Sequence, residues 1–274
     1  MTPIAPAIPA DMAARIAAEL EALEQAHGIR ILFAIESGSR AWGFPSPDSD
    51  FDVRFIYARP VADYLRLEPL RDVVERPVDP VLDINGWDIA KALKLLARGN
   101  PTLLEWAVSP LVYRCDGITR PNLVRLSEQT AWGRAAAYHY RHLAERQVEK
   151  HLASGEQVKL KTYFYVLRPL LNLRFLRRNP GQPLPMHLDG LLAGCALPDA
   201  IANELDALRR LKAETVELGN GPRRPSLDGF IAAEFSLSAP QPINPQTGDA
   251  PAADMAALLD AEFWRAIGFS APAG

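Results

Sequence analysis

Gly38-Ser39-Arg40-Ala41-Trp42-Gly43-Phe44-Pro45-Ser46-Pro47-Asp48-Ser49-Asp50-Phe51-Asp52-Val53-Arg54 is the stretch on which the fold of this chain turns. It holds a Gly-Ser turn and, twelve residues after the glycine, an Asp-x-Asp pair. Upstream, Ile31 to Ile35 is a short apolar run that stops at Glu36-Ser37-Gly38-Ser39, the pattern of a buried strand ending at a glycine turn. Downstream, Asp50, Asp52 and Arg54 alternate with Phe51, Val53 and Phe55, a period of two that predicts a strand over 50–57 with one charged face. Carboxylates at alternate strand positions stand about 6 to 7 Å apart at their backbones. Like charges that close repel, and a divalent cation relieves them. Pro45, Pro47 and Asp48 favour a turn between the strands, which lets the carboxylates swing back toward Gly38-Ser39. A turn suited to phosphate and two carboxylates suited to Mg²⁺ are what phosphoryl chemistry needs.

Competing motifs fit less well. A P-loop requires a Gly-Lys-Ser/Thr ending, and the dinucleotide fingerprint requires Gly-x-Gly-x-x-Gly opening a helix, whereas Gly38 and Gly43 stand alone. A glycosyltransferase uses Asp-x-Asp without calling for the upstream Gly-Ser. His139 and His142 lack a His-Glu-x-x-His pattern or a cysteine pair, and no Gly-x-Ser-x-Gly elbow is present.

The chain resembles the DNA polymerase β-like nucleotidyltransferase superfamily, whose signature is Gly-Ser followed by Asp-x-Asp. More narrowly, the segments 36–43, 48–57, 83–88 (Asp-Ile-Asn-Gly-Trp-Asp) and 99–106 (Gly-Asn-Pro-Thr-Leu-Leu-Glu-Trp) are similar to the YcgL/RlaP-type, RNA-repair-pathway members, over about residues 30–235. The resemblance implies that Gly38 and Ser39 bind the triphosphate of an NTP, with ATP as the expected one. It implies that Asp50 and Asp52 hold one or two Mg²⁺ ions, with Mn²⁺ as an alternative. A third carboxylate on a later strand completes such sites, and Asp83 is the best match. Val81-Leu82-Asp83-Ile84 sets that carboxylate in an apolar run, where an unpaired charge is costly. Asp79, between Val78 and Pro80, reads as a turn residue, and Asp88 reads as the N-cap of the helix that follows it. Arg40 follows the turn and is a candidate for phosphate oxygens, whereas Arg54 reads as a salt bridge orienting Asp52. Glu36 and Trp42 belong to the motif without a derivable chemical step.

Length and composition frame the site. A chain of 274 residues, 48% hydrophobic and 23% charged, is long enough for one large or two modest soluble domains. No stretch approaches the roughly 20 apolar residues of a membrane span. Met1 to Ala10 has no signal-peptide pattern, and Cys115 and Cys195, 80 apart, suggest reduced thiols, so a cytoplasmic location is expected. Asp11 to His27 reads as an amphipathic helix with Met12, Ile16, Leu20 and Leu23 on one stripe, closed by Gly28. Helices are further expected over 89–98 and from Asn100-Pro101, with Ser109 to Tyr113 a short extended piece.

From about residue 120 the pattern is helical with no convincing strand. Helices are expected over 123–152, 157–178, 198–218 and 227–235, the last capped by Ser226, and then over 252–267 after a Pro-rich stretch at 240–251. Between Arg134 and Arg178 ten Lys/Arg face three Glu, a net +7 over 45 residues, which suits a triphosphate pocket or a polynucleotide track. On helical spacing Lys161, Tyr165, Arg168 and Asn172 share a face, so Lys161, Tyr165 and Arg168 are nucleotide-binding candidates. Pro169 interrupts that helix.

The sequence therefore predicts an α+β chain: a polymerase β-like catalytic domain over 1–115, with a small mixed sheet and flanking helices, an all-helical binding domain over 116–238, and a linker with a closing helix over 239–274. Its expected activity is Mg²⁺-dependent transfer of an NMP from an NTP to an acceptor hydroxyl, with Asp50, Asp52 and Asp83 as the catalytic carboxylates. An RNA end is the expected acceptor, with a protein or a small molecule as the alternatives. The other class of reading is an NTP-binding regulatory protein without turnover. No membrane contact and no stable protein partner are expected.

Overall fold

The structure is a computed structural model that describes residues 8–77, 79–130, 132–152, 155–215, 219–238 and 253–270. The Pro-rich stretch expected at 240–251 lies outside these residues. In chain order the first elements are α1 (Ala10–His27), β1 (Arg30–Glu36), α2 (Gly38–Trp42), β2 (Phe51–Ala58), α3 (Val61–Tyr64), β3 (Val73–Glu75) and β4 (Leu82–Asp88). Then come α4 (Ile89–Ala97), α5 (Pro101–Ala107), β5 (Val112–Cys115), α6 (Thr119–Ser127), α7 (Trp132–His151), β6 (Gln157–Lys159) and α8 (Thr162–Arg178). The last are α9 (Leu188–Cys195), α10 (Asp199–Glu214), β7 (Asn220–Pro222), α11 (Pro225–Leu237) and α12 (Ala253–Ile267). The chain divides into two compact units, one built from Thr2–Ala41, Asp50–Trp132 and Asp249–Gly274, the other from Trp42–Ser49 with Gly133–Gly248.

The first unit is α+β. Its mixed sheet has the order β3-β4-β2-β1-β5, with β2 and β4 parallel and the other neighbours antiparallel. One face carries Ala34, Val53, Phe55, Tyr57 and Ile84 against Ile16, Leu20 and Leu23 of α1, the stripe expected from their spacing. The other carries Leu32, Phe33, Ile35 and Ile56 against α4, α5, α6 and α12. Each such buried aliphatic side chain stabilises the fold by about 1.5–3 kcal/mol, so the two layers fix the sheet from both sides. Local signals place the helix ends. Gly28 takes φ 60° and closes α1, Asp88 accepts from the Ala90 amide at 2.8 Å, and Asn100 caps α5 ahead of Pro101.

The second unit is mostly helical, and here the structure departs from the sequence expectation. The run 123–152 is two helices, because Ser127 and Thr130 turn their hydroxyls onto the Val124 and Ser127 carbonyls and end α6. Residues 157–159 are not helical: β6 pairs antiparallel with β7, a partner some sixty residues downstream that no local pattern reveals. The expectation of no strand after residue 120 is thereby corrected. Ser226 is not a cap either: α11 starts at Pro225, with Arg224 at the cap position, and the Ser226 hydroxyl bonds Glu204. Glu234, fully buried, is held by Arg174 and Arg177 at 2.6 Å each, which ties α8 to α11. Among the described residues no helix is long and apolar enough to cross a membrane.

Candidate active site

β1 delivers the chain to Ser37, whose amide donates to the Asp52 carbonyl at 2.8 Å. Gly38 then takes φ 58° and opens the five-residue helix α2 instead of a simple turn. A Cβ built on Gly38 would stand 1.9 Å from Asp52 Oδ2. Only glycine fits there, on two grounds: the left-handed backbone, and a carboxylate lying directly on its Cα. The Gly-Ser segment and the Asp-x-Asp pair, twelve residues apart in sequence, are therefore in contact.

Arg40 and Asp50 meet at the same place. Arg40 Nε donates to the Asp50 carbonyl at 3.1 Å, and its guanidinium lies 3.9 Å from the Phe51 ring centroid. Asp50 is exposed, just ahead of β2.

Asp52 and Asp83 are direct partners in the parallel β2–β4 register. Arg54 Nη2 bridges them, donating to Asp52 Oδ1 at 3.0 Å and Asp83 Oδ2 at 2.7 Å, while Nη1 donates to the Asp83 carbonyl. The orienting salt bridge expected of Arg54 is present and reaches a second carboxylate. Contrary to what its neighbours suggest, Asp83 is not buried in an apolar run: its side chain is 55% exposed. Strand register brings it to the site. Asp79 and Asp88 have other work, as their contexts suggested. Asp79 accepts from the Val81 and Leu82 amides and pairs with Arg15, which hold its carboxyl below the usual range. Asp88 caps α4 and accepts from the Tyr64 hydroxyl at 3.0 Å.

Burial pushes the Asp52 carboxyl above its ordinary value, Arg54 opposes that, and the charges of Asp50 and Asp83 add to it. Three hard-oxygen donors whose charges repel at one strand end suit a divalent cation in chemistry. As they stand, no three carboxylate, His or Cys side chains converge on a single point among the described residues, and Arg54 sits between Asp52 and Asp83.

Glu36 and Tyr113 are the residues that sequence reasoning left without a role. Glu36 is fully buried at the end of β1. Its Oε1 accepts the Asp52 amide at 3.0 Å and its Oε2 the Tyr113 hydroxyl at 2.6 Å, so one side chain pins β1, β2 and β5 together behind Asp52. Burial raises its carboxyl to about 7, against the two hydrogen bonds, which lower it. Ser109 Oγ donates to the Glu36 carbonyl at 2.6 Å and completes the support. A charged residue closing an apolar strand was the available signal for Glu36. Tyr113 had none, since its partner is 77 residues away.

The helical candidates do not share one exposed face. Lys161 sits at the cap position of α8, Tyr165 is exposed, and Arg168 and Asn172 are buried. Arg168 lays its guanidinium 4.1 Å from the Trp42 ring centroid and donates toward the Met186 carbonyl. Trp42 itself is part of this packing.

A family model described as "RNA repair pathway DNA polymerase beta family" matches residues 12–259. A Bacillus subtilis (strain 168) protein carried as "Uncharacterized protein YcgL" is 40% identical over 224 residues, 82% of this chain and 85% of that protein.

Proposed function

The chain belongs to the RNA repair pathway DNA polymerase beta family, and from that premise we propose that it transfers a nucleoside monophosphate from an NTP, ATP foremost, to a hydroxyl at an RNA end. In that reaction an acceptor oxygen bonds to the α-phosphorus, the bond from that phosphorus to pyrophosphate breaks, and the hydroxyl proton is lost. The observation that carries the reading is the closeness of Gly38 to the Asp52 carboxylate, which joins the Gly-Ser segment to the acidic pair. A divalent cation bound at such carboxylates, Mg²⁺ or Mn²⁺, neutralises phosphate charge and makes the attacking hydroxyl more acidic.

Asp50, Asp52 and Asp83 are the side chains that would hold it. Arg54 fixes the aim of Asp52 and Asp83, and Glu36 fixes the backbone of Asp52 from behind. Gly38 and Ser39 are the backbone that would meet the triphosphate, and Arg40 adds positive charge beside Asp50. Orientation of this kind, set before the substrate arrives, is what lowers the barrier of phosphoryl transfer.

The test is incubation with α-labelled ATP and Mg²⁺ in the presence of RNA ends, of protein, or of small-molecule hydroxyl acceptors. Label on RNA supports the proposal. Label on another acceptor corrects the substrate, and Mg²⁺-dependent nucleotide binding without any product identifies a binding protein instead.

A further inference from the structure

Eight of the ten cations between Arg134 and Arg178 fall into two groups of four. Arg141, Arg168, Arg174 and Arg177 are engaged by partners within the helical unit. Arg141 donates to the Phe235 and Ser238 carbonyls, Arg168 packs on Trp42, and Arg174 and Arg177 hold Glu234. Arg134, Arg146, Lys150 and Lys159 point outward. Among the described residues none of these four has an ion-pair partner, although Glu149 is exposed beside Lys150.

On α7 the outward residues follow a rule. Arg134, Tyr138, His142, Arg146 and Lys150 are exposed, one every four residues, while Ala136, Tyr140 and Ala144 are buried at the same interval, two positions out of step. Two positions are about 200° around a helix, so at each turn the exposed residue lies opposite the buried one, and both lines wind about 40° around the axis per step of four residues. Four residues rise about 6 Å, close to the spacing of successive phosphates along one extended strand. The line carries three cations and an aromatic ring and no carboxylate. Tyr138 is 50% exposed and is braced by the His142 ring, centroids 4.2 Å apart in an edge-on arrangement. His142 is held in turn by Glu145 at 3.0 Å. Beyond the end of α7 the line meets further positive charge. Partial burial and then the charges of Lys150 and Lys159 hold the His151 imidazole below its ordinary value.

We propose that the exposed line Arg134-Tyr138-His142-Arg146-Lys150 of α7 is a track for single-stranded RNA, with Arg146 and Lys150 on neighbouring phosphates, Arg134 on a phosphate about three further along, and Tyr138 stacked on a base between them. A duplex has no unpaired base to offer Tyr138, and a single line of cations matches one backbone and not two. As the holder of the acceptor strand, the track rests on the reading of an RNA end as acceptor. As a binding surface, it is measured without catalysis.

The experiment is fluorescence anisotropy of the full chain with a labelled single-stranded RNA and with its duplex, over a series of salt concentrations. Each phosphate neutralised contributes about 0.7 to the log–log salt slope for a single strand. The variant R134A/R146A/K150A is expected to lose about ten-fold or more in affinity and about 2 in slope. Tyr138→Ala is expected to lose about ten-fold with the slope unchanged, because stacking releases no counterions. R134K/R146K keeps the charge and keeps the slope, and a thermal melt of each variant checks that the fold is intact. Unchanged RNA binding in folded R134A/R146A/K150A overturns the track, as does equal loss for the duplex. So does binding of an acidic protein segment in preference to RNA. Asp50→Ala plus Asp52→Ala is expected to bind the strand like the parent, so failure of transfer and failure of the track are read separately.

Discussion

Gly38 is where the site is least forgiving. A methyl group there meets Asp52 Oδ2 at 1.9 Å with φ already at 58°. Gly38→Ala is expected to cost about 1–2 kcal/mol of stability from the left-handed backbone alone. By displacing Asp52 it should lower the transfer rate about 100-fold, since an error near 1 Å in a reacting geometry costs that much. Melting curves and initial rates check the two separately; a variant with normal rates would show that the contact does not serve the chemistry. Glu36 gives a second prediction. With its carboxyl near 7 instead of 4.5, the native state keeps a proton that the unfolded chain releases. Stability attributable to Glu36 is therefore full below about pH 4.5, falls as pH rises, and is lost above about pH 7, a span on the order of 3 kcal/mol. Glu36→Gln cannot ionise and should remove most of that slope in urea titrations between those pH values. Asp52 and Asp88, also raised by burial, leave a residual slope of the same sign. An unchanged slope in the variant would mean that Glu36 does not carry the linkage.

The β2–β4 pair carries the site because its parallel register sets Asp52 opposite Asp83 and Phe55 opposite Gly86. A Cβ on Gly86 would stand 2.1 Å from the buried Phe55 ring. Gly86→Ala should destabilise the sheet by about 1–3 kcal/mol through overpacking. It should also disturb the Asp52–Asp83 pairing, so its loss of activity would exceed its loss of folded protein; a rate that merely tracks the folded fraction would contradict this. The strands β1 and β2 were legible because each writes its own signal, an apolar run and a period of two. Register was not, because it depends on which residues face each other across a crossover. Asp83 illustrates the difference: Leu82 and Ile84 beside it suggest an apolar context that the fold does not give it, and it reaches Asp52 by pairing. β6 and β7 were hidden for the same reason, since three residues carry no period and each strand is made by the other.

The first unit joins a sheet built between residues 30 and 115 to a helix from far downstream. α12 closes one face of the sheet, with Ala266 buried and Leu258, Leu259, Phe263 and Ile267 packed on the same cluster. Arg30 donates to the Ala266 carbonyl at 2.6 Å, and Asn122 to Glu262 at 2.7 Å, which fastens the helix in place. Its helical period was plain in the sequence, but its destination was not, because nothing local tells a closing helix which layer it covers. A chain ending at residue 252 should therefore lose the cooperative melt of the sheet, since each large apolar side chain removed from the layer withdraws about 1.5–3 kcal/mol. A native-like melt in that truncation would place α12 outside the core. The most direct measurement supplies ATP labelled at either the α- or the γ-phosphate, with Mg²⁺ and an RNA end, to the parent and to Asp50→Ala plus Asp52→Ala. Stable transfer of the α-label alone, abolished in the double variant, is the predicted result. Transfer of the γ-label, or α-label transfer that persists without Asp50 and Asp52, would contradict the assignment.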